Sequence, residues 1–284
     1  MLLHCQDFRL NSPDLQLSQI YLDDKNWSDL LFKCLLDFSK DPGNRRNVEN
    51  RTIKHPVNGH EMISFKHVFA ELTKSPFLKT RSQQDAAEAM DLVVRYSNHL
   101  EFFRFQYQYK YKCAVCNHES FGLVSPENKL RLQVTEPTRT FIMNDVFKNY
   151  IYSDYIERNC PNIICNSNSS QYTYLMVTPP SFLIVDLQFY EYVVINRAAK
   201  LGYKRKLLSH CTPLPHLEIP SPDGISHKFV LEGIIEHLGD SLNSGHYVTY
   251  IKKQNQWYHI SDQSVNPVTQ LSRQPYISLY RLES

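Results

Sequence analysis

The sequence predicts an α+β protein, and three observations carry that prediction. Apolar residues recur at helical spacing only within the first hundred residues. From residue 102 onward, runs rich in Val, Ile, Tyr and Phe are separated by turn residues, as strands are. Four cysteines fall in two close pairs, Cys113/Cys116 and Cys160/Cys165, a spacing suited to a metal-bound ribbon. At 284 residues the chain can bury a large core, as one big domain or two small ones. A formal charge of +2 gives no case for nucleic acid or an acidic membrane surface as a partner. No apolar run approaches the length of a membrane span, and Met1–Leu10 lacks the hydrophobic stretch of a signal peptide. The expectation is an intracellular, reducing compartment, where seven cysteines point to metal or catalysis rather than disulfides.

Taken in order, Leu10-Asn11-Ser12-Pro13 reads as a turn with a possible helix start. Residues 26–39 predict a helix, with Ser28 as N-cap and Leu30, Leu31, Cys34, Leu35 and Phe38 on one face. Residues 40–60 are polar and turn-rich and predict a surface loop. Residues 62–77 predict a second helix ending at Ser75-Pro76. Ser82-Gln83-Gln84-Asp85-Ala86-Ala87-Glu88-Ala89-Met90 predicts a capped helix that buries Ala86, Ala89, Met90 and Val93.

An aromatic strand over Phe102–Tyr111 then leads into the turn Cys113-Ala114-Val115-Cys116. With Cys160 and Cys165 this makes a set able to hold one zinc in a closed, structural site, against the alternative of four buried free thiols. Residues 172–195 predict two strands broken at Pro179-Pro180, with Phe182–Leu187 a buried one. Lys200–Ser209 is basic and reads as a solvated face. Strands follow around Phe229–Ile234, over Tyr247–Ile251 and over Trp257–Ile260, with Lys252–Gln256 a polar hairpin loop, and Tyr276–Arg281 closes the chain.

The hairpin carries chemistry. His246 starts one strand and Asp262 follows the end of its partner, so an imidazole and a carboxylate are brought close. That is the arrangement of a general base and the acid that orients it. Gly245 lets a second chain approach the backbone beside the histidine.

Gly245-His246-Tyr247-Val248-Thr249-Tyr250, followed by Trp257-Tyr258-His259-Ile260-Ser261-Asp262, resembles the C-terminal box of the ubiquitin-specific proteases, papain-like cysteine deubiquitinases. Gln83-Gln84-Asp85-Ala86 resembles that family's cleft helix, with Ala89 where an aromatic is usual. Tyr111-x-Cys113-x-x-Cys116-x-His118-x-Ser120 resembles its fingers, although the second cysteine pair is spaced by four residues rather than two. Gln188 stands where the family's strand ends in a basic residue. The resemblance implies the papain-like fold of this type: a helical thumb over about 1–100, zinc-ribbon fingers over about 101–175 and a β-rich palm over about 176–284. It implies His246 as base, Asp262 as third triad member, and Gln84, Asp85, Gly245 and Tyr247 as contacts to ubiquitin. Ubiquitin or ubiquitinated proteins are the implied partners, with no nucleic acid and no membrane.

A papain-like site needs a thiol at a helix N-terminus, where the macrodipole and the histidine favour the thiolate. The family's glycine-bearing cysteine box is absent here. Three readings stay open. Asn26, ahead of Trp27 and Asp29, occupies the nucleophile's place; Cys5, in Leu3-His4-Cys5-Gln6-Asp7, is the nucleophile; or the chain begins downstream of the box. Two functions follow: an active deubiquitinase, or a ubiquitin-binding pseudoenzyme that keeps the cleft. An unrelated zinc-ribbon binding module would require both boxes to be chance.

Overall fold

The computed structural model describes residues 52–54, 61–63, 85–96, 101–134, 140–196, 201–242, 244–261 and 264–283. The chain divides into two compact units, Met1–Glu101 with Asn243–Thr269, and Phe102–Leu242 with Gln270–Ser284.

The first unit begins with an antiparallel hairpin, β1 (Thr52–Lys54) with β2 (Glu61–Ile63). β1 lies in the segment expected to be loop, and β2 reaches into the start of the helix expected over 62–77, whose remainder lies outside the described residues. Thr52-Ile53 is β-branched, and β-branched residues fit a pleated ladder better than a helix. The helix expected over 26–39 lies outside the described residues. α1 (Ala86–Tyr96) falls in the helix expected from the Ser82–Met90 segment, of which residues 82–84 lie outside the described residues. It buries Ala87 and Val94, two turns apart, while Ala86, Ala89 and Met90 are only half-buried. The buried stripe is therefore rotated from the one read off the sequence; the Val93 side chain lies outside the description.

A 3₁₀ turn at Glu101–Phe103 leads from the first unit into the second, whose first strand is the long β3 (Phe105–Cys113). β4 (Glu119–Phe121) and β5 (Ser125–Glu127) pair antiparallel with the two ends of β3. β6 (Leu130–Gln133) and β7 (Thr140–Ile142) lead to α2 (Met143–Ile151), which buries Met143, Phe147 and Ile151 as one stripe. The sequence reading gave no element here; nine residues are too few for the period to stand out. β8 (Tyr152–Glu157) and β9 (Ser169–Thr178) return, and β9 pairs antiparallel with β3 from Gln106↔Thr178 to Cys113↔Ser170. Tyr107, Tyr109 and Tyr111 alternate along β3 and meet Tyr172 and Tyr174 of β9, with Tyr107 stacked on Tyr174 at 5.0 Å.

β10 (Phe182–Gln188) is buried along nearly its whole length, as a near-continuous apolar run requires. The span read as two strands holds three, because β11 (Tyr190–Asn196) is separate and pairs with β12 (Leu201–Lys206). The basic stretch from Lys200 is thus largely a strand. β13 (His210–Thr212) pairs parallel with β7, and β14 (His216–Pro220) pairs with β15 (Ser226–Leu238).

The first unit resumes with an antiparallel meander, β16 (His246–Lys253), β17 (Gln256–Ser261) and β18 (Ser264–Val268). The β16–β17 turn is only Gln254-Asn255, both at positive φ (49° and 64°), which matches the tight turn whose twist suits a hairpin. The second unit ends with β19 (Pro275–Leu282), which pairs antiparallel with both β15 and β10, while β10 pairs parallel with β6. Phe229, Ile234, Leu183, Val185, Ile277, Leu279 and Tyr280 form this sheet's buried centre. The Lys129 ammonium and Asp186 carboxylate meet at 3.1 Å with side chains 4% and 6% exposed, so each offsets the other's desolvation.

Candidate active site and metal centre

The four cysteines sit on two turns at one end of the β3–β9 sheet. The first turn closes with the Asn117 N–H donating to the Cys113 carbonyl (3.1 Å) and the Cys113 N–H donating to the His118 carbonyl (2.9 Å), with Asn117 at φ 57°. The second closes with the Cys160 N–H donating to the Ser167 carbonyl and the Cys165 N–H to the Asn162 carbonyl, both at 2.9 Å. Asn162 Oδ1 also accepts the Ile164 N–H at 3.1 Å. The four-residue spacing is thereby accommodated. Ile163 and Ile164 are 97% and 89% exposed, outside the turn, while both cysteines still converge on the first pair.

The four Sγ atoms lie within 4.8 Å of one another, with Cys113 to Cys165 at 3.7 Å and Cys116 to Cys160 at 3.6 Å. Those separations are far beyond a disulfide bond, which is about 2.05 Å. They approach the edge of a thiolate tetrahedron with metal–sulfur bonds of about 2.3 Å, which is about 3.8 Å. The N–H groups of Cys116 and Val115 hold the Cys113 thiol down to about 6, whereas burial pushes Cys160 up to about 12. The set can hold a metal ion.

The second group of residues lies in the first unit. Asp85 caps α1: its Oδ1 accepts the N–H of Ala87 at 2.7 Å and of Glu88 at 3.2 Å, and its carbonyl accepts the Ala89 N–H at 2.9 Å. The remaining first-turn donor, Ala86 N–H, is given to Tyr247 Oη at 3.3 Å, across 161 residues of sequence. A phenol one residue from His246 therefore ties the histidine strand to the start of the helix. Burial, with Asp85 and Glu88 nearby, pushes the Tyr247 phenol up to about 12. On the other side, His246 Nε2 and Ser261 Oγ are 2.9 Å apart, a hydrogen bond whose donor depends on the imidazole tautomer. Ser264 Oγ donates to the Ser261 carbonyl at 2.7 Å and closes the end of β17. The histidine ring is thus brought to the strand end after which Asp262 comes in sequence.

Among the sequence-predicted residues, Asp85, Gly245, His246 and Tyr247 lie in this unit's described part, with Gly245 exposed directly before β16. Asp262, Gln84, Cys5 and Asn26 lie outside the described residues. Two roles were missed by sequence reasoning. Ser261 stood inside the quoted motif but had no part assigned to it, and Tyr247, named there as a contact to ubiquitin, also ties its strand to α1 through its hydroxyl. A helix-cap aspartate followed by an unsatisfied first N–H is a signal that some distant acceptor is needed, but nothing in sequence names the acceptor.

A family model described as ubiquitin carboxyl-terminal hydrolase matches residues 1–280, and the chain belongs to that family. Among curated proteins, ubiquitin carboxyl-terminal hydrolase A of Dictyostelium discoideum is 43% identical over 22% of this chain and 7% of its own length. Ubiquitin carboxyl-terminal hydrolase 4 of Arabidopsis thaliana is 25% identical over 39% of this chain and 30% of its own. Ubiquitin carboxyl-terminal hydrolase 16 of the same plant is 35% identical over 36% of this chain and 10% of its own. The chain therefore matches less than a third of each of these relatives. Among solved structures, the SAGA DUB module with Ubp8 bound to ubiquitin aldehyde superposes with a TM-score of 0.61 at 19% identity, covering 78% of this chain and 54% of that one. The same module bound to monoubiquitin gives 0.61 at 20% identity, with 77% and 52% covered. The fold is that of these deubiquitinase structures.

Proposed function

We propose that this chain binds ubiquitin as a domain of the ubiquitin-specific protease type, and hydrolyses the bond after the ubiquitin C-terminal glycine where it presents a thiolate. The observation that carries this reading is the Tyr247–Ala86 hydrogen bond, because it joins the described parts of the two motif segments, Asp85-Ala86 and Gly245-His246-Tyr247, in one unit. In the reaction, His246 takes the thiol proton, the thiolate sulfur attacks the glycine carbonyl, and the C–N bond breaks as the imidazolium returns the proton to the leaving amine. Water, deprotonated by His246, then hydrolyses the thioester. Asp262 orients the imidazole, and Ser261 shares that task at Nε2. Residues from about 1 to 100, about 101 to 175 and about 176 to 284 serve as thumb, fingers and palm. Cys113, Cys116, Cys160 and Cys165 hold one zinc that supports the fingers and takes no part in the chemistry.

The alternative is a ubiquitin-binding pseudoenzyme, which the missing cysteine box favours: Asn26 has no usable pKa for nucleophilic attack. A ubiquitin carrying a C-terminal electrophile separates the two. Covalent labelling mapped to Cys5, and abolished by His246→Ala, establishes the enzyme. Binding measured by calorimetry without labelling shows that these residues bind ubiquitin without presenting a nucleophile, which fits both the Asn26 reading and a box upstream of them. No binding and no labelling removes both.

A further inference from the structure

β12 ends in the cations Lys204, Arg205 and Lys206, and each is used differently. The Lys204 ammonium lies 4.5 Å from the centre of the Tyr190 ring, and Arg205 Nε donates to the Glu191 carboxylate at 2.8 Å, so both stay within the β11–β12 ribbon. Lys206 instead reaches out of the ribbon to the end of β15. Its ammonium donates to the His237 carbonyl at 2.9 Å, to His237 Nδ1 at 3.4 Å and to the Gly239 carbonyl. An ammonium only donates, so Nδ1 is an acceptor here and each N–H of the ammonium has a partner. Burial pulls Lys206 below the usual lysine range, partly offset by the Asp240 and Glu236 carboxylates. Both ends of this reach are fixed. On the β12 side, the Leu207 N–H donates to the Phe189 carbonyl at 2.9 Å, and the Gln133 amide donates at 2.7 Å to the carbonyl of Tyr190, the residue opposite Lys206. On the β15 side, His237 is buried, its ring 6.4 Å from that of Tyr276.

The fastening falls where β15 gives way to the segment before His246. The register of β15 with β19 runs out at Glu236–Pro275, and β15 itself ends at Leu238. Gly239 follows at φ 129°, a backbone conformation that L side chains rarely adopt. From there the chain is exposed at Asp240, Ser241, Ser244 and Gly245, and it continues into His246-Tyr247. An exposed segment of this kind loses conformational entropy when a ligand orders it, and fixing one end in advance lowers that cost. The carbonyls of His237 and Gly239 are the points at which Lys206 fixes the near end.

We propose that Lys206 is a positioning residue for the segment from Gly239 to Gly245, holding its start so that Gly245 meets the ubiquitin tail at low entropic cost; this rests on the reading of Gly245 as a ubiquitin contact. Lys206→Met keeps the stem and removes the donors, whereas Lys206→Arg keeps cationic donors. Glu191→Gln weakens the Arg205 pair on the same ribbon and leaves Lys206 alone. In Lys206→Met, amide exchange within residues 238–245 of the ligand-free protein accelerates at least about tenfold, and ubiquitin affinity, read by calorimetry, falls about tenfold. Lys206→Arg restores both to within about threefold of the parent, and Glu191→Gln changes neither. Lys206→Gln, which keeps an N–H donor, gives intermediate values and carries the test where Lys206→Met does not fold. Exchange in that segment unchanged by loss of the ammonium overturns the inference, whatever the protein binds. Faster exchange with undiminished ubiquitin affinity makes Lys206 a structural tie and overturns its positioning role, as does an equal loss of affinity in Glu191→Gln. A parent that does not bind ubiquitin is a failure of the function reading, seen before any variant is compared, and it takes this inference with it.

Discussion

The four-cysteine turns and the histidine strand are both small polar sites on β-scaffolds, yet they are assembled in opposite ways. Each cysteine turn is closed by its own backbone: the N–H groups of Asn117, Cys113, Cys160 and Cys165 all find acceptors within a few residues. Only one long-range match, β3 with β9, is then needed to bring the pairs together. His246 instead depends on groups from other elements. Ser261 comes from the neighbouring strand, and the Tyr247 hydroxyl reaches a helix 161 residues away. A site built from local turns can accommodate the four-residue spacing, because Ile163 and Ile164 stand exposed while Cys160 and Cys165 still meet the first pair. A site built from distant elements fails when any one of them shifts, because near-attack geometry tolerates little displacement.

The largest effect is expected where that local design would be broken at its common point. Cys160→Ser removes one of four ligands, and structural zinc sites contribute folding energy outright, on the order of 10 kcal/mol in isolated zinc-finger peptides. Metal analysis of the parent protein should find one zinc per chain, and the variant should retain almost none. Amide exchange should accelerate in the two turns and along β3 and β9. His246 should keep its environment, read from its imidazole NMR signals. Equal zinc content in both proteins, or a parent without metal whose melting ignores chelators, would remove the metal centre from this comparison.

The same contrast explains what could be read from the sequence. The cysteine pairs, the helix after Ser82 and the strands around His246 were legible because each is a local pattern: ligand spacing, a cap before a helical run, period-two alternation. α2 was not, since its stripe of Met143, Phe147 and Ile151 is set by what it packs on. The face of α1 was misjudged for the same reason: propensity gives a helix, but the tertiary neighbours choose Ala87 and Val94. β11 was merged with β10 in one strand reading, and β12 was obscured by charge, because Lys204, Arg205 and Lys206 look like a solvated face until the pairing with Tyr190, Glu191 and Tyr192 is seen. The hydroxyl roles of Ser261 and Tyr247 are entirely long-range or cross-strand, and no spacing rule encodes them.

A smaller effect separates the two jobs of Asp85. As a helix cap its carboxylate accepts two N–H bonds; as a cleft residue its charge faces the basic ubiquitin tail under the proposed function. Charge reversal to Arg would confuse the two. Asp85→Asn keeps an oxygen for the cap and removes the charge, so melting should hardly move while ubiquitin affinity falls several-fold, measured by calorimetry. Asp85→Ala should lose about 1 kcal/mol of stability as well. If Asp85→Asn leaves affinity unchanged, Asp85 is a cap alone.

The smallest effect tests the tie itself. Tyr247→Phe keeps the ring and deletes the acceptor of the Ala86 N–H. A neutral, partly buried hydrogen bond is worth about 1 kcal/mol net, so the variant should melt only slightly lower near neutral pH, with faster exchange confined to the start of α1. Alkaline pH supplies a sharper reading. The folded protein raises the Tyr247 phenol to about 12, through burial first and then the Asp85 and Glu88 carboxylates. An unfolded tyrosine ionises near 10. Above pH 10 the unfolded chain therefore loses this proton before the folded one does, and the stability that depends on the neutral phenol is lost as pH rises toward 12. Other buried tyrosines, such as Tyr109 at about 12, add the same trend to parent and variant alike and cancel in the difference. The stability gap between parent and Tyr247→Phe, followed by denaturant titration from pH 8 to pH 12, should hold up to about pH 10 and then narrow. A gap that stays constant across that range would mean that the phenol is not buried beside those carboxylates; the Ala86 N–H works the other way, lowering the phenol's pKa, so the tie itself is read from amide exchange at the start of α1.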